Sequence, residues 1–485
     1  MAPMSRDLRA VVIGAGMAGI LAAIRLRETG IDDVTVYEKA NRVGGTWREN
    51  TYPGIACDVP SHLYSYSFAP NPDFSHTFSP GDEIEAYFER VAQEHGVDQL
   101  ICFGEEVTRA AFVDGRWELE TSRGRQDHAD IVIAATGVLH HPRVADIPGL
   151  DSFTGATFHS ARWNHEVPLD GRRVGVIGTG SSAIQITSAL VDRVERFCLF
   201  QRTAQWVIQA PNPEYSEDDR RRFHDEPESV TALRDALSAS FSMFANSVVD
   251  AQSPELAAIA AACEQNLEEH VKDPGLRERL RPTYQAGCKR LIMSPDFYEA
   301  IQKPNAALVT EAIERIEPEG VRTVDGTLHE LDVLVLATGF QVDRFLRPID
   351  VIGREGMSLD DVWAKRPTAY LSISIPEFPN LFMLNGPNGP VGNFSLIEVA
   401  ELQVDYVLQL IDRIRSGACR EISPSQEATD AHEAERVEQA QNTVWMTGCR
   451  SWYLDDRGVP AVWPWTFDHF REVMAEPDLG AYVEV

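Results

Sequence analysis

The chain has 485 residues, 44% of them hydrophobic and 24% charged, with a formal net charge of −30. That length is too great for one ordinary core and points to two or three domains. The acidic balance excludes the basic footprint of nucleic-acid binding, and no run of about 18 apolar residues suggests a membrane span.

Residues 1–9 carry Arg6, Asp7 and Arg9 and lack an apolar h-region, so no signal peptide is expected and the chain reads as cytoplasmic. Ala10-Val11-Val12-Ile13 predicts a buried strand, Gly14-Ala15-Gly16-Met17-Ala18-Gly19 a tight turn, and Ile20 to Arg27 a helix. In this order Gly14 permits the turn, Gly16 admits a pyrophosphate to the backbone, and Gly19 lets helix and strand pack closely. Met17 and Ala18, within this turn, are also expected to contact the cofactor, and the helix N-terminus faces the phosphates with free N–H groups and a positive dipole end. A second strand, Val34-Thr35-Val36-Tyr37, ends in Glu38, 24 positions after Gly14, where a carboxylate accepts from ribose hydroxyls.

Ile131-Val132-Ile133-Ala134-Ala135-Thr136-Gly137 predicts a strand closing this first domain. The pattern then starts again. Arg173 to Ile177 is a strand, and Gly178-Thr179-Gly180-Ser181-Ser182-Ala183 is the turn, with Gln185 on the helix that follows. The next strand, Arg196 to Phe200, leads to Gln201-Arg202-Thr203. Arg202 lies 24 positions after Gly178, the offset that separates Glu38 from Gly14. A carboxylate in that slot repels a 2′-phosphate, whereas a guanidinium binds it bidentately. The first site therefore suits an unphosphorylated adenosine ribose, as in FAD, and the second suits NADPH. Two such sites in one chain imply hydride transfer from NADPH to a flavin.

Residues 214–280 are charged and helix-favouring, and predict a helical insertion that shields or caps the second domain. Val333-Leu334-Val335-Leu336-Ala337-Thr338-Gly339 repeats the strand-and-turn pattern of 131–137. Leu381 to Leu384 is a further strand, followed by the turn Asn385 to Pro390, which is expected to approach the flavin, and a helix from Leu396 to Arg415. The C-terminal Trp445, Trp452, Tyr453, Trp463 and Trp465 either line an apolar pocket or pack as core.

The expected fold is α/β, with two Rossmann-like dinucleotide-binding domains, for FAD and NADPH, and a helical insertion in the NADPH domain. The FAD domain takes residues 1–149 and 341–485, and the NADPH domain 150–213 and 286–340, with the insertion at 214–285. The seven cysteines, at 57, 102, 198, 263, 288, 419 and 449, form no C-x-x-C pair and fit neither a zinc site nor a disulfide framework. They are expected to be reduced thiols, without a metal, and their spacing argues against a disulfide reductase.

Ahead of the second glycine turn stands Phe153-Thr154-Gly155-Ala156-Thr157-Phe158-His159-Ser160-Ala161-Arg162-Trp163. It resembles the fingerprint of type I Baeyer–Villiger monooxygenases, F-x-G-x-x-x-H-x-x-x-W followed by Pro or Asp. Asn164 departs from it. Related N- and S-oxygenating flavin monooxygenases usually carry Tyr or Phe where Trp163 stands. Gly44-Gly45-Thr46-Trp47 and Tyr52-Pro53-Gly54-Ile55-Ala56-Cys57-Asp58 resemble the family's FAD-domain signature, and Gly287-Cys288-Lys289-Arg290 its catalytic-arginine segment.

The resemblance implies that Arg290 is catalytic, that Asp58 positions it, and that Lys289 joins Arg202 and Thr203 on the 2′-phosphate. It also implies a C4a-peroxyflavin stabilised by Arg290, which oxygenates a ketone with O₂ to give an ester or lactone. His62, Tyr64 and Tyr66 are expected near the flavin, and His159 at a hinge between domains. The alternatives are N- or S-oxygenation, an NADPH oxidase or reductase, and a non-catalytic nucleotide sensor. The substrate ketone is unspecified, and monomer and homodimer are equally compatible with the sequence.

Overall fold

The structure is a computed structural model, describing residues 6–392 and 394–485. β1 (Arg9–Ile13) leads through α1 (Met17–Glu28) to β2 (Asp33–Glu38), which lies parallel to it with Ile13 opposite Tyr37. β3 (Ile101–Phe103) adds beyond β2, and β4 (Ile131–Ala134) pairs with the other side of β1. Every residue of β4 is buried. The uninterrupted apolar run reflects a parallel strand covered on both faces.

The chain then builds a second parallel sheet. β5 (Ala156–His159) and β6 (Arg173–Ile177) are followed by α2 (Ser181–Leu190) and β7 (Arg196–Phe200). Four helices come next, Glu217–Asp225, α3 (Pro227–Asn246), α4 (Pro254–His270) and Pro274–Leu280. Their starts are fixed locally: Ser216, Ser253 and Asp273 each accept from a backbone N–H of the first turn, and three of the helices open with proline. β8 (Ala306–Val309) and β9 (Val333–Leu336) complete the sheet in the order β8-β7-β6-β9-β5. β10 (Leu381–Met383) returns to the first sheet beside β4, giving β10-β4-β1-β2-β3.

Each sheet has its own core. In the first, Ile20, Leu21 and Ile24 of α1 pack with Val404, Val407 and Leu410 of α5 (Leu396–Arg415). In the second, Val174 and Val176 of β6 pack with Ile184 and Leu190 of α2. The helical layer is clamped to the first domain by polar contacts. Arg234 of α3 pairs with Glu401 of α5 at 3.2 Å, and the Ser238 hydroxyl donates to Glu398 at 2.7 Å. Among the described residues no helix is long and apolar enough to cross a membrane.

One expectation is corrected here. Cys288 and Cys449 form a disulfide, with Cα atoms 6.2 Å apart across 161 positions of sequence. Linear spacing conceals this pair, because only the return of the C-terminal loop onto the Arg290 segment brings the sulfurs together. Cys57, Cys102, Cys198, Cys263 and Cys419 remain free. Titration of the denatured protein should therefore find five thiols without reductant and all seven after reduction. Seven thiols without reductant would disprove the bond.

Candidate active site

Two bare helix starts dominate the junction of the domains. α1 follows Gly16 and α2 follows Gly180, with no side-chain cap at either and no acidic residue in either first turn. At five other helices Ser216, Ser253, Asp273, Ser425 and Thr466 satisfy these donors, and the uncapped helices starting at Gly81, Pro227 and Leu396 carry an acidic residue in the first turn. Uncapped N–H groups at the carboxyl ends of parallel strands suit a bound phosphate. A Cβ at Gly19 would lie 1.8 Å from the Gly14 carbonyl oxygen, so only glycine lets α1 pack here. Gly16 and Gly45 oppose each other, and a Cβ on Gly45 would stand 3.0 Å from the Gly16 Cα. Both cradles thus fit a dinucleotide pyrophosphate.

The positions after the second strands differ: by strand register Gln201 stands where Glu38 does, and Arg202 lies one residue further on than the 24-residue offset suggests. Glu38 is buried at the end of β2 and accepts from the Ala15 N–H at 2.8 Å, the Ala40 N–H at 2.9 Å and Arg48 at 3.2 Å. Its carboxylate is pinned beside the first cradle. Beyond β7, Arg202 is exposed, and the Thr203 carbonyl accepts from the Thr179 hydroxyl at 2.8 Å, tying the slot to the second turn. The Lys289 ammonium lies 4.9 Å from the Tyr284 ring centre. Burial, and then the nearby Arg202 charge, lower its pKa. Two mutually repelling cations fit a doubly charged phosphate.

The domains meet at residues 52–58. The Tyr52 hydroxyl donates to Gln185 at 2.8 Å, and Gln185 donates to the Ala56 carbonyl at 3.0 Å. Burial pushes the Tyr52 phenol up to about 12, although a hydrogen bond with Ser182 opposes it. Asp58 follows. Its Oδ2 accepts from Arg290 Nε at 3.0 Å and Nη2 at 2.6 Å, while the Gly392 carbonyl accepts from Nη1 at 2.7 Å. These bonds leave one N–H on each terminal nitrogen. Burial works against the guanidinium's charge, but Asp58 and then Tyr453 outweigh it and hold the pKa well above the ordinary arginine value.

The pair opens on a largely apolar cleft that includes Phe241, Phe244, Leu291, Met293 and Trp445. Phe241 and Phe244 lie on α3 and Trp445 in the C-terminal region, which local sequence alone does not place at the site. Trp463 and Trp465 pack in the first core instead. Trp47 donates from its indole to the Tyr64 hydroxyl at 3.2 Å, beside Thr46 at the short helix Thr46–Glu49. Thr338 donates to the Arg143 carbonyl, so Ala337-Thr338-Gly339 forms a crossing between domains beyond β9.

His62 is not in the cleft. Its ring is fully buried against Phe74, Tyr215 and Phe223, and neither nitrogen has a partner among the described residues. Burial lowers its pKa to about 4. Between that value and the ordinary value of about 6.5 the unfolded chain binds a proton that the folded chain refuses, so stability falls as pH drops through this window. His62→Phe should remove on the order of 3 kcal/mol of this acid sensitivity, read as urea midpoints at pH 7 and pH 4. Equal pH dependence in both proteins would refute it.

The fingerprint segment has a clear local logic. A Cβ at Gly155 would fall 2.4 Å from the Asp332 carbonyl oxygen. His159 is buried, its Nδ1 accepts the Ala161 N–H at 3.1 Å, and its ring meets Phe340 edge-on. Trp163 packs edge-on against Phe158. Asn164, the departure, accepts the Glu166 N–H at 3.0 Å in a turn that Asp makes equally well. Among the described residues no His, Cys, Asp and Glu group is placed to hold a metal ion.

Two dinucleotide cradles and a charge-paired arginine at an apolar cleft define a two-cofactor flavin oxidoreductase. The comparisons give the class. The pyridine nucleotide-disulphide oxidoreductase family matches residues 11–236. The three cysteines inside that span are free, so the match extends to the nucleotide fold without a redox-active cysteine pair. The chain is 48% identical over 481 residues to an uncharacterized monooxygenase of Mycobacterium tuberculosis, covering 98% of this chain and 96% of that one. It is 40% identical over 480 residues to a Baeyer–Villiger monooxygenase of Streptomyces coelicolor, covering 98% and 92%. The fold superposes on a Rhodococcus cyclohexanone monooxygenase bound to NADP+, with a TM-score of 0.87, 29% identity and coverage of 98% and 99%.

The chain belongs to the Baeyer–Villiger monooxygenase family of flavin-dependent monooxygenases. FAD and NADP occupy solved members of this fold.

Proposed function

We propose that the protein is an FAD- and NADPH-dependent Baeyer–Villiger monooxygenase that inserts one oxygen atom from O₂ beside the carbonyl of an apolar ketone, giving an ester or lactone. The observation that carries this reading is the Asp58–Arg290 pair, fixed at an apolar cleft where the two domains meet. FAD is assigned to Gly14, Gly16, Met17, Ala18, Gly19, Glu38, Gly45, Thr46 and Trp47, with Tyr64 and Asp58 nearby. NADPH is assigned to Gly178 through Ala183, Gln185, Arg202, Thr203 and Lys289, with Ala337, Thr338 and Gly339 at the domain crossing. When bound and reduced, the flavin supplies electrons that activate O₂.

The chain's residues do the rest. Arg290 offers its remaining N–H groups to negative charge building on oxygen, and a guanidinium keeps its charge in a partly dry site. Asp58 fixes its orientation and offsets its desolvation. The apolar wall excludes water, which strengthens these interactions and protects reactive oxygen from draining into hydrogen peroxide.

The test is a product balance: NADPH, O₂ and a ketone such as cyclohexanone or phenylacetone, with ester and peroxide measured per NADPH consumed. Ester formation supports the reading. Oxygenation of amines or sulfides with every ketone ignored transfers the assignment to the N- or S-oxygenating branch. Peroxide alone, whatever is added, overturns it in favour of an oxidase.

A further inference from the structure

The C-terminal loop reaches the arginine. Tyr453 is 3% exposed, and its hydroxyl lies 3.5 Å from the Gly392 carbonyl oxygen, the same oxygen that accepts from Arg290 Nη1. Gly392 has φ of +102°, and a Cβ there would stand 2.5 Å from the Tyr453 hydroxyl, so the backbone is bare where the phenol seats. The Tyr453 ring is itself packed, with centroids 4.2 Å from Trp452 and 5.6 Å from Trp445. Cys449, in the same loop, is bonded to Cys288, two positions before Arg290. The loop and the arginine segment form one cross-linked unit, packed with Val248, Leu256 and Val444 in a small core of its own.

The grip on Arg290 shows why a second hold matters. Asp58 accepts from both Nε and Nη2 through a single oxygen, Oδ2. Two N–H groups converging on one oxygen fix the guanidinium's direction but still let it tilt about that oxygen. The Nη1 contact to Gly392 is the second point of attachment, and that carbonyl belongs to a loop rather than to a sheet or helix. A phenol donating to the carbonyl restrains it, and the phenol oxygen keeps lone pairs for Nη1.

We propose that Tyr453, seated by the Cys288–Cys449 bond, is a positioning residue for Arg290, and that it leaves the Nη2 N–H as the donor directed into the cleft. This rests on the reading of Arg290 given above. Burial raises the pKa of Tyr453, which agrees with a neutral phenol that donates.

The experiment uses the FAD-loaded full chain and reads Arg290 directly, through the rate at which phenylglyoxal modifies it, resolved by peptide mass spectrometry. Exposed Arg202 is the internal control. Tyr453→Phe keeps the ring and loses only the hydroxyl. It should speed modification of Arg290 about fivefold, the worth of one neutral hydrogen bond. The Arg202 rate and the thermal midpoint should not move, while the peroxide share per NADPH rises at unchanged FAD content. Cys449→Ser should shift the Arg290 rate in the same direction. An Arg290 rate within twofold of wild type in Tyr453→Phe overturns the inference. So does a parallel rise at Arg290 and Arg202 with a lowered midpoint, which signals general loosening. If Arg290→Ala makes ester within about tenfold of wild type, the underlying reading fails; if Arg290→Ala loses more than that and Tyr453→Phe is silent, only this inference fails.

Discussion

Arg290→Ala should lower ester formation by ~10²–10³-fold, the loss associated with removing one donor from a developing oxyanion. FAD content should stay at the wild-type level, because among the described residues the side chain's partners are Asp58, Gly392 and Tyr453 and not the glycine turn or Glu38 of the first cradle. Lysine is not a substitute. It presents a point charge on a flexible stem and loses that charge more readily when partly buried, so Arg290→Lys should retain far less than a tenth of the activity. Asp58→Asn leaves the shape and removes the counter-charge. Its expected loss is smaller, about tenfold, since the amide oxygen still accepts from Nε while the guanidinium turns less firmly. The measurement is ester and peroxide per NADPH at matched flavin absorbance. An Arg290→Ala enzyme that makes ester within tenfold of wild type would remove Arg290 from the chemistry.

How much of this was legible in the sequence follows from the range of each interaction. The glycine turns were readable because backbone geometry dictates them: Gly14 and Gly178 have φ of +102° and +127°, and Gly19 packs against the Gly14 carbonyl within its own turn. The strands β4 and β9 were readable because burial on both faces leaves only apolar residues. The Asp58–Arg290 pair joins residues 232 positions apart and came from motif resemblance, not from any local rule. The disulfide had no such motif and was expected to be two free thiols. Phe241 and Phe244 were not identifiable as cleft residues, since helical periodicity shows a face without saying what it meets. His62 stood close to Asp58 in sequence and suggested the flavin, yet the turn after it carries the ring into a cage with Phe74, Tyr215 and Phe223.

The second large effect concerns the choice of nucleotide. By strand register Gln201 takes the place of Glu38, and Arg202 follows it, exposed beyond β7, so Arg202 is the cation to change at the second cradle. Arg202→Ala removes a charge-assisted contact to the 2′-phosphate worth about 1.5–3 kcal/mol, which is about tenfold to a hundredfold in kcat/KM for NADPH. NADH lacks that phosphate, and its kcat/KM should change little. Arg202→Glu adds repulsion and should invert the preference. Lys289 limits the loss, because it retains one cation at the site, and it sets a pH dependence. Burial and the neighbouring Arg202 lower its pKa, so as pH rises Lys289 loses its charge before an ordinary lysine does, and the NADPH-over-NADH ratio should fall across that range. In Arg202→Ala one of the two causes of the lowering is gone, and the fall should move to higher pH. The ratio of kcat/KM for the two nucleotides, measured against pH in wild type and both variants, checks all of this. A ratio that stays constant in Arg202→Glu would show that the 2′-phosphate is held elsewhere.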